Sequence, residues 1–452
     1  MDYYAVFSRN IIAPLWAFKE KTPYLKYLKY LEKSQFFPQE KLRQIQWTKL
    51  KQLLSHAYKN VPFYRARFEE AGLTPDIIRH WEDLSKIPLL TKSDIRENAE
   101  SLVAANVDKA KLIQKKTSGS TGVSLEFFID EQSQQWKRAC TIRHDRWAGK
   151  DIGERVAAIW GNPDYEHTWR LKLRNILLER NVFLDTLKMD EAGMYDFYHK
   201  IVKKPPRVFF GHAHSLYLFA RFMEQNNLKP PKPAGIISTA MILHNHERAL
   251  IEKIFNSKVF NRYGCEEVSL IASECEVHEG LHINMDTLIV EILYDGKPAK
   301  PGQPGAIVLT DLSNYAMPFI RYKVGDVGIL AEKPCSCGRG LPLLKSIEGR
   351  AADYIITPEG NYISGISLTE NFAMQLPGIK QLQIVQDKID HLIFRIVKSS
   401  ITDQSRIEKI GELVKERFGP NMTFNIEYVE SIQQEESGKY RFCISEIDNP
   451  FK

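Results

Sequence analysis

The chain has 452 residues, a formal net charge of +6, and 43% hydrophobic against 26% charged residues. This length implies two or three domains, and the balance is that of a globular chain with a large core. The charge is too small for this size to require nucleic acid, and no basic block stands out; a mild positive bias suits an anionic nucleotide. No apolar run reaches the length of a membrane span. Six cysteines in so long a chain are not a disulfide framework, so a reducing compartment, the cytoplasm, is expected.

From Met1 to Phe18 the sequence is aromatic and apolar but broken by Asp2, Arg9, Asn10 and Pro14. It lacks the unbroken stretch of a signal peptide and reads as a packed helix, with attachment to a membrane surface as the alternative. Over residues 40–59, Leu42, Ile45, Leu50, Leu53, Leu54 and Ala57 recur at helical spacing, and Asn60-Val61-Pro62 is a stop signal. Short helices and loops follow from Phe63 to Val103, with Thr91-Lys92-Ser93-Asp94 as a helix start.

The next segment, Thr117-Ser118-Gly119-Ser120-Thr121-Gly122, concentrates hydroxyls and bare backbone N–H groups in one tight loop. A polyphosphate needs many short donors and no bulky side chains. The loop is not a Walker loop, since no Gly-Lys-Ser/Thr closes it, and by itself it reads equally as a solvated turn.

From residue 155 on, Arg155–Trp160, Arg207–Phe210, Ala234–Ser238 and Lys258–Tyr263 read as buried strands, with helices over 190–203, 214–227 and 244–256 between them. That alternation predicts an α/β layer with a parallel component, and Lys229-Pro230-Pro231-Lys232-Pro233 a stiff surface loop within it. Between 280 and 332, Leu288–Leu293, Ala306–Thr310 and Phe319–Tyr322 are short strands joined by Gly/Pro turns, an antiparallel subdomain. Beyond Gly349-Arg350, Gln381–Gln386, His391–Val397 and Thr423–Val429 read as strands and Asp403–Phe418 as an amphipathic helix, a small α+β unit.

Four further constellations follow the hydroxyl-rich loop: Tyr263-Gly264-Cys265-Glu266-Glu267, Arg321-Tyr322-Lys323-Val324-Gly325-Asp326, Gly349-Arg350 ahead of Asp353, and Ser437-Gly438-Lys439. Their order and spacing resemble the adenylate-forming, acyl-CoA synthetase-like superfamily. The closer resemblance is to its phenylacetate–CoA ligase branch and the related capsule-biosynthesis adenylation proteins. It extends to the LLSHAYKNVPFYRARFEEAGL and WEDLSKIPLLTKSDI stretches between Leu53 and Ile95, and to Cys335-Ser336-Cys337-Gly338-Arg339.

The resemblance implies an α/β fold with a large N-terminal adenylation domain (1–349), containing mixed sheets and a β subdomain, and a small mobile α+β domain (350–452). It implies ATP-dependent activation of a carboxylic acid as an acyl-adenylate. Residues 117–122 would cradle the β- and γ-phosphates, Glu267 would hold Mg2+, Tyr263 beside Gly264 would stack on adenine, and Asp326 would accept from the ribose hydroxyls. Arg350 would contact nucleotide oxygens. Lys439 would bridge carboxylate and α-phosphate as charge builds, then leave by rotation of the small domain. Ser238, Thr239 and Ala240, with the Gly211-His212-Ala213-His214-Ser215 segment, fall near the nucleotide and acyl sites. Read singly, Glu267 is equally a surface salt-bridge carboxylate, Asp326 a turn residue and Lys439 a solvated lysine. His212 is equally a structural histidine, and Trp160 and Phe210 equally core.

Three departures stand out. Val123-Ser124-Leu125-Glu126 lacks the lysine many relatives carry after the loop. Glu266 stands where many have Ser or Thr against the α-phosphate. Ala351-Ala352-Asp353 has alanine at the usual hinge aspartate.

Cys275, His282, Cys335 and Cys337 offer three sulfurs and one imidazole, a closed set suited to structural Zn2+. The one-residue Cys-x-Cys gap is tight, His278 is a rival ligand, and three reduced thiols with a surface histidine are the alternative. Similar proteins of this branch carry the same arrangement. Cys140, Cys265 and Cys443 read as ordinary buried thiols. Three functions remain open: transfer of the acyl group to CoA, transfer to an amine or hydroxyl acceptor in surface-polysaccharide biosynthesis, and a non-catalytic nucleotide-binding role.

Overall fold

The computed structural model describes residues 2–116, 125–160, 168–186, 189–350, 354–364, 379–398, 405–432 and 443–447. The hydroxyl-rich loop 117–122, the 351–353 segment and Lys439 lie outside these residues.

Helices open the chain. The helix Gln39–Asn60 buries Leu42, Leu50, Leu53, Leu54 and Ala57 along one side, as the helical spacing predicts. It stops where Val61 turns extended and Pro62 begins a second helix, Pro62–Glu70. Proline there forgoes only an N–H that a first helical turn leaves unpaired. Thr91 caps the helix Lys92–Glu97 through a reciprocal pair of hydrogen bonds with Asp94.

The strands begin with the hairpin pair β1 (Ile113–Lys116) and β2 (Glu126–Ile129). A run of parallel strands follows: β3 (Val156–Ile159), β4 (Asn181–Leu184), β5 (Val208–His212), β6 (Gly235–Thr239) and β7 (Val259–Cys265). Helices Glu191–Lys203, Ala213–Gln225 and Asn245–Phe255 connect them. Antiparallel strands come next: β8 (Ser269–Glu274), β9 (Leu281–Ile283), β10 (Leu288–Tyr294), β11 (Lys297–Pro298), β12 (Pro304–Asp311), β13 (Tyr322–Leu330) and β14 (Leu343–Arg350). All join one 12-stranded sheet in the order β11-β10-β12-β13-β14-β9-β8-β7-β6-β5-β3-β4. The antiparallel strands expected as a subdomain are therefore bonded to the parallel ones, with β7 pairing parallel to β6 and antiparallel to β8.

One predicted strand is corrected. Of the segment 319–322 only Tyr322 is strand, as the first residue of β13: Phe319 and Ile320 are buried ahead of it, and Arg321 takes a left-handed φ of 51°. Arg321 is held there by two bonds to Glu291 at 2.9 and 3.0 Å. Asp326, for which a turn was the alternative, lies inside β13 opposite Arg350 of β14. Strand β4 and the helical run ahead of it, Trp169–Arg174 and Asn175–Glu179, were not foreseen.

Past β14 come the pair β15 (Tyr354–Ile356) and β16 (Tyr362–Ser364). A four-stranded sheet follows, of β17 (Ile379–Lys388), β18 (His391–Lys398), β19 (Thr423–Tyr428) and β20 (Cys443–Ser445), in the order β19-β18-β17-β20. The helix Ser405–Phe418 supplies Ile410, Leu413, Val414 and Phe418 to the core of this sheet. Among the described residues no helix is long and apolar enough to cross a membrane.

Candidate functional site

In an open α/β sheet, ligands bind outside the carboxyl ends of the parallel strands. The predicted residues gather there. Trp160 follows β3, His212 ends β5, Thr239 ends β6, and Tyr263-Gly264-Cys265 ends β7. Trp160 stacks on Phe210 with ring centres 5.2 Å apart and lies 4.0 Å from His212. All three rings are half-buried, so they stand at the rim of the core. Ser238 is fully buried, and its hydroxyl has no hydrogen-bond partner among the described residues. Ala240 sits in the left-handed region at φ 63°, a conformation that costs a non-glycine residue about 1 kcal/mol or more.

Beside this rim the downstream motifs converge. The Tyr263 hydroxyl donates to Asp326 Oδ2 at 2.8 Å, and Arg350 Nε stands 3.3 Å from Asp326 Oδ1. Three strands separate β7 from β13 in the sheet order. The sheet must therefore curl for this contact to form, and β14 meets β9 over only two residue pairs. Gly264 has its own reason: a Cβ there would lie 2.6 Å from the Ser269 carbonyl oxygen. Glycine lets β8 close onto β7.

Glu267 is buried and accepts from the Tyr322 hydroxyl at 2.7 Å. Burial, then the Glu267 and Asp326 carboxylates, push the Tyr322 phenol well above its ordinary range. Burial and Asp326 do the same to Tyr263. Both phenols therefore stay protonated as donors. Lys137, on the helix Glu131–Trp147, donates to the Glu267 carbonyl at 3.1 Å and pairs with Asp311 at 3.2 Å. Its exposed neighbour Glu266, the departure noted above, pairs with Lys115 at 3.4 Å. That lysine just precedes the hydroxyl-rich loop and offsets the charge that would repel a phosphate.

Tyr263, Glu267, Asp326 and Arg350 are thus brought together. Lys115, Lys137 and Tyr322 were missed. Tyr322 was findable, since it belongs to the Arg321–Asp326 motif that the sequence already singles out. Lys137 was not: in Gln134-Gln135-Trp136-Lys137-Arg138 nothing separates a buried lysine from a solvated one.

The second cluster lies at the far end of β8. Ligand atoms of Cys275, His282, Cys335 and Cys337 all stand within 4.8 Å of one another. Sulfurs and a ring nitrogen bound tetrahedrally to one zinc would stand about 3.5–3.8 Å apart. Cys275 Sγ is 3.7 Å from Cys335 Sγ, and Cys337 Sγ is 3.3 Å from His282 Nε2. His282 is fully buried, not a surface residue, and its Nδ1 donates to the Leu341 carbonyl at 3.1 Å. That leaves Nε2 bare toward the sulfurs. Burial pushes the Cys335 thiol up. Burial also raises Cys337, but hydrogen bonds from Arg339 outweigh it and the net is downward. The rival His278 instead pairs with Glu274 at 3.1 Å. Cys140 and Cys443 are buried, while Cys265 is half-buried beside Glu267.

Comparison with known proteins follows the same lines. Residues 355–446 match the CapK C-terminal domain family. The chain is 27% identical over 420 residues to Protein CapK of Staphylococcus aureus, covering 90% of each chain. It is 25% identical over 350 residues to phenylacetate-coenzyme A ligase of Thermus thermophilus, covering 72% of this chain and 74% of that one. A crystal structure of 2-hydroxyisobutyryl-CoA ligase in the postadenylation state, in complex with R3-HIB-AMP, has the same fold. Its TM-score is 0.70 at 21% identity, covering 92% of each chain. By sequence the chain is similar to CapK and to phenylacetate–CoA ligases over most of its length, and its fold is that of the adenylate-forming ligases.

Proposed function

We propose that this protein is an ATP-dependent, AMP-forming acid ligase that activates a small-molecule carboxylic acid and passes the acyl group to CoA. The convergence of Tyr263, Glu267, Asp326 and Arg350 beside the carboxyl ends of the parallel strands carries this reading. In the first step a carboxylate oxygen attacks the α-phosphorus of ATP, the bond to the bridging oxygen breaks, and pyrophosphate leaves. In the second the CoA sulfur, its proton lost, attacks the acyl carbon, and AMP leaves with the electron pair.

Two anions must meet in the first step, so the site has to supply positive charge and donors. Lys439 and residues 117–122 are assigned to that task by their place in the motif order. Asp326 would receive the ribose hydroxyls, with Arg350 moving from its carboxylate to the nucleotide. Tyr263 has its hydroxyl tied at one end, which holds its ring for adenine. Glu267 fits a divalent cation: its buried carboxylate has a phenol as partner, and no cation pairs with it among the described residues. Mg2+ bound there would shield the phosphates. The Cys275, His282, Cys335 and Cys337 cluster would hold Zn2+ as a structural clamp. It would tie β8 and β9 to the loop after β13, and so the strands that carry Tyr263 and Asp326. The division into residues 1–349 and 350–452 belongs to this reading, with the second unit bringing Lys439 to the nucleotide and withdrawing it.

A second acceptor, an amine or hydroxyl on a surface-polysaccharide precursor, is favoured by one observation. The terminal segment 355–446 matches the CapK C-terminal domain, and this domain would frame the acceptor side after adenylation. Acid-dependent ATP–pyrophosphate exchange across aryl, aliphatic, amino and uronic acids tests the reading. Exchange abolished in Lys439→Ala supports it, and absence of exchange with every acid rejects catalysis. CoA dependence of product formation separates the two acceptors.

A further inference from the structure

The N-terminal helical run, Tyr3–Phe7, Ser8–Ile12 and Ala13–Lys19, reverses the usual amphipathic arrangement. Its buried residues are the small Ala5, Ser8, Ala13 and Ala17. Its large apolar residues Tyr3, Phe7, Ile11, Leu15 and Phe18 face outward, Tyr3 80% and Phe18 84% exposed. Small inward residues let the run sit close to the body: a Cβ on Gly153 would lie 2.5 Å from Ser8 Cβ.

Polar contacts hold the run antiparallel to the second helical run, Trp169–Arg174 and Asn175–Glu179. Asp2 pairs with Arg180 at 2.6 Å, Ser8 Oγ donates to the Leu177 carbonyl at 2.7 Å, and Glu20 pairs with Arg170 at 2.8 Å. This neighbour also turns large apolar residues outward: Trp169, Leu173 and Ile176, the first 77% exposed. Together the two runs expose on the order of 800 Å2 of mostly apolar surface, above the roughly 300–600 Å2 of the largest patch on a typical monomer.

Charge selects the occupant. The carboxylates Asp2, Glu20 and Glu179 are each bound to an arginine. Lys19, Lys21 and Lys172 are exposed and pair with no carboxylate among the described residues. A second copy of the chain would bring the same lysines against one another, whereas anionic headgroups would meet them favourably. Aromatic rings with a basic rim on a surface helix suit the headgroup–acyl boundary. We propose that this two-helix face binds an anionic phospholipid surface, lying in the interface without spanning it. The inference does not rest on the ligase reading.

The test is co-sedimentation of the full chain with vesicles of phosphatidylcholine alone or mixed with phosphatidylglycerol. Binding to the mixed vesicles, weakened by salt, is expected. Phe7→Ser/Leu15→Ser/Phe18→Ser/Trp169→Ser should lower partitioning at least ~100-fold. Lys19→Glu/Lys21→Glu/Lys172→Glu, which leaves the apolar face intact, should lower it about 100-fold or more. No binding to either vesicle overturns the proposal. So does a dimer in light scattering that the serine variant dissolves while vesicles leave it untouched, which would give the face to a second copy.

Discussion

Arg143 ties the helix Glu131–Trp147 to the residues between β9 and β10. Its guanidinium donates to Asp286 at 2.5 Å and to Asn284 Oδ1 at 2.8 Å, and both ionic partners are 1% exposed. Ser34 adds a bond to the same carboxylate at 2.5 Å. Arg143→Met keeps most of the stem and its packing but strands Asp286 with one hydroxyl partner. Breaking a buried pair from one side costs about 3–5 kcal/mol; the Lys49 ammonium, bonded to the Asp286 carbonyl at 2.7 Å, offsets part of the stranded charge, so the low end is expected. Native stabilities are about 5–15 kcal/mol, so the loss is a large fraction of the total. Urea unfolding followed by tryptophan fluorescence, with Trp136 and Trp147 on this helix, reads it directly. Arg143→Met/Asp286→Asn removes the stranded charge and keeps an acceptor for Ser34, and at least about half the loss should return. A single variant within about 1 kcal/mol of wild type would refute the reasoning, as would a double variant no better than the single.

Other outcomes follow from the same geometry. Tyr322→Phe removes the phenol from Glu267, a hydrogen bond to a charged group worth about 1.5–3 kcal/mol. Exchange should fall about 10- to 100-fold with a shifted Mg2+ dependence, and an unchanged Mg2+ curve would remove Glu267 from metal binding. The purified chain should carry one zinc by elemental analysis, lost in Cys335→Ser/Cys337→Ser together with thermal stability; a metal-free native protein of equal stability refutes the clamp. For pH, burial and then Arg143 hold His144 well below its ordinary range. The folded state therefore refuses a proton that the unfolded chain accepts below about pH 6.5. Stability should fall as pH drops below that value, and His144→Gln should flatten the slope; an equal slope in the variant refutes the assignment.

Legibility in the sequence followed the range of the interactions. The helix Gln39–Asn60 announces itself through helical spacing because it buries one side, and the strands β5 to β7 and the terminal pair β17 and β18 through short apolar runs, those of β5 to β7 being continuous because both faces are covered. Segment 319–322 misled because Phe319 and Ile320 are apolar for a different reason: they pack under a backbone that Arg321 and Glu291 bend. Strand β4 is short and at the sheet edge, so its apolar signal is faint. The zinc-type ligand set could be proposed from residue types and their resemblance, but its closure within 4.8 Å required two loops to meet.

Residue order alone determined the parallel alternation and the list of chemically competent side chains, because backbone periodicity and reactive-group identity are local properties. Only the folded chain decided which of them share a site. The curl of the sheet sets Tyr263 against Asp326, a buried helix sends Lys137 to the Glu267 carbonyl, and Lys115 answers Glu266 across a gap of about 150 residues. Contacts between residues so far apart in the chain depend on how whole layers pack, and no pattern of nearest neighbours encodes that.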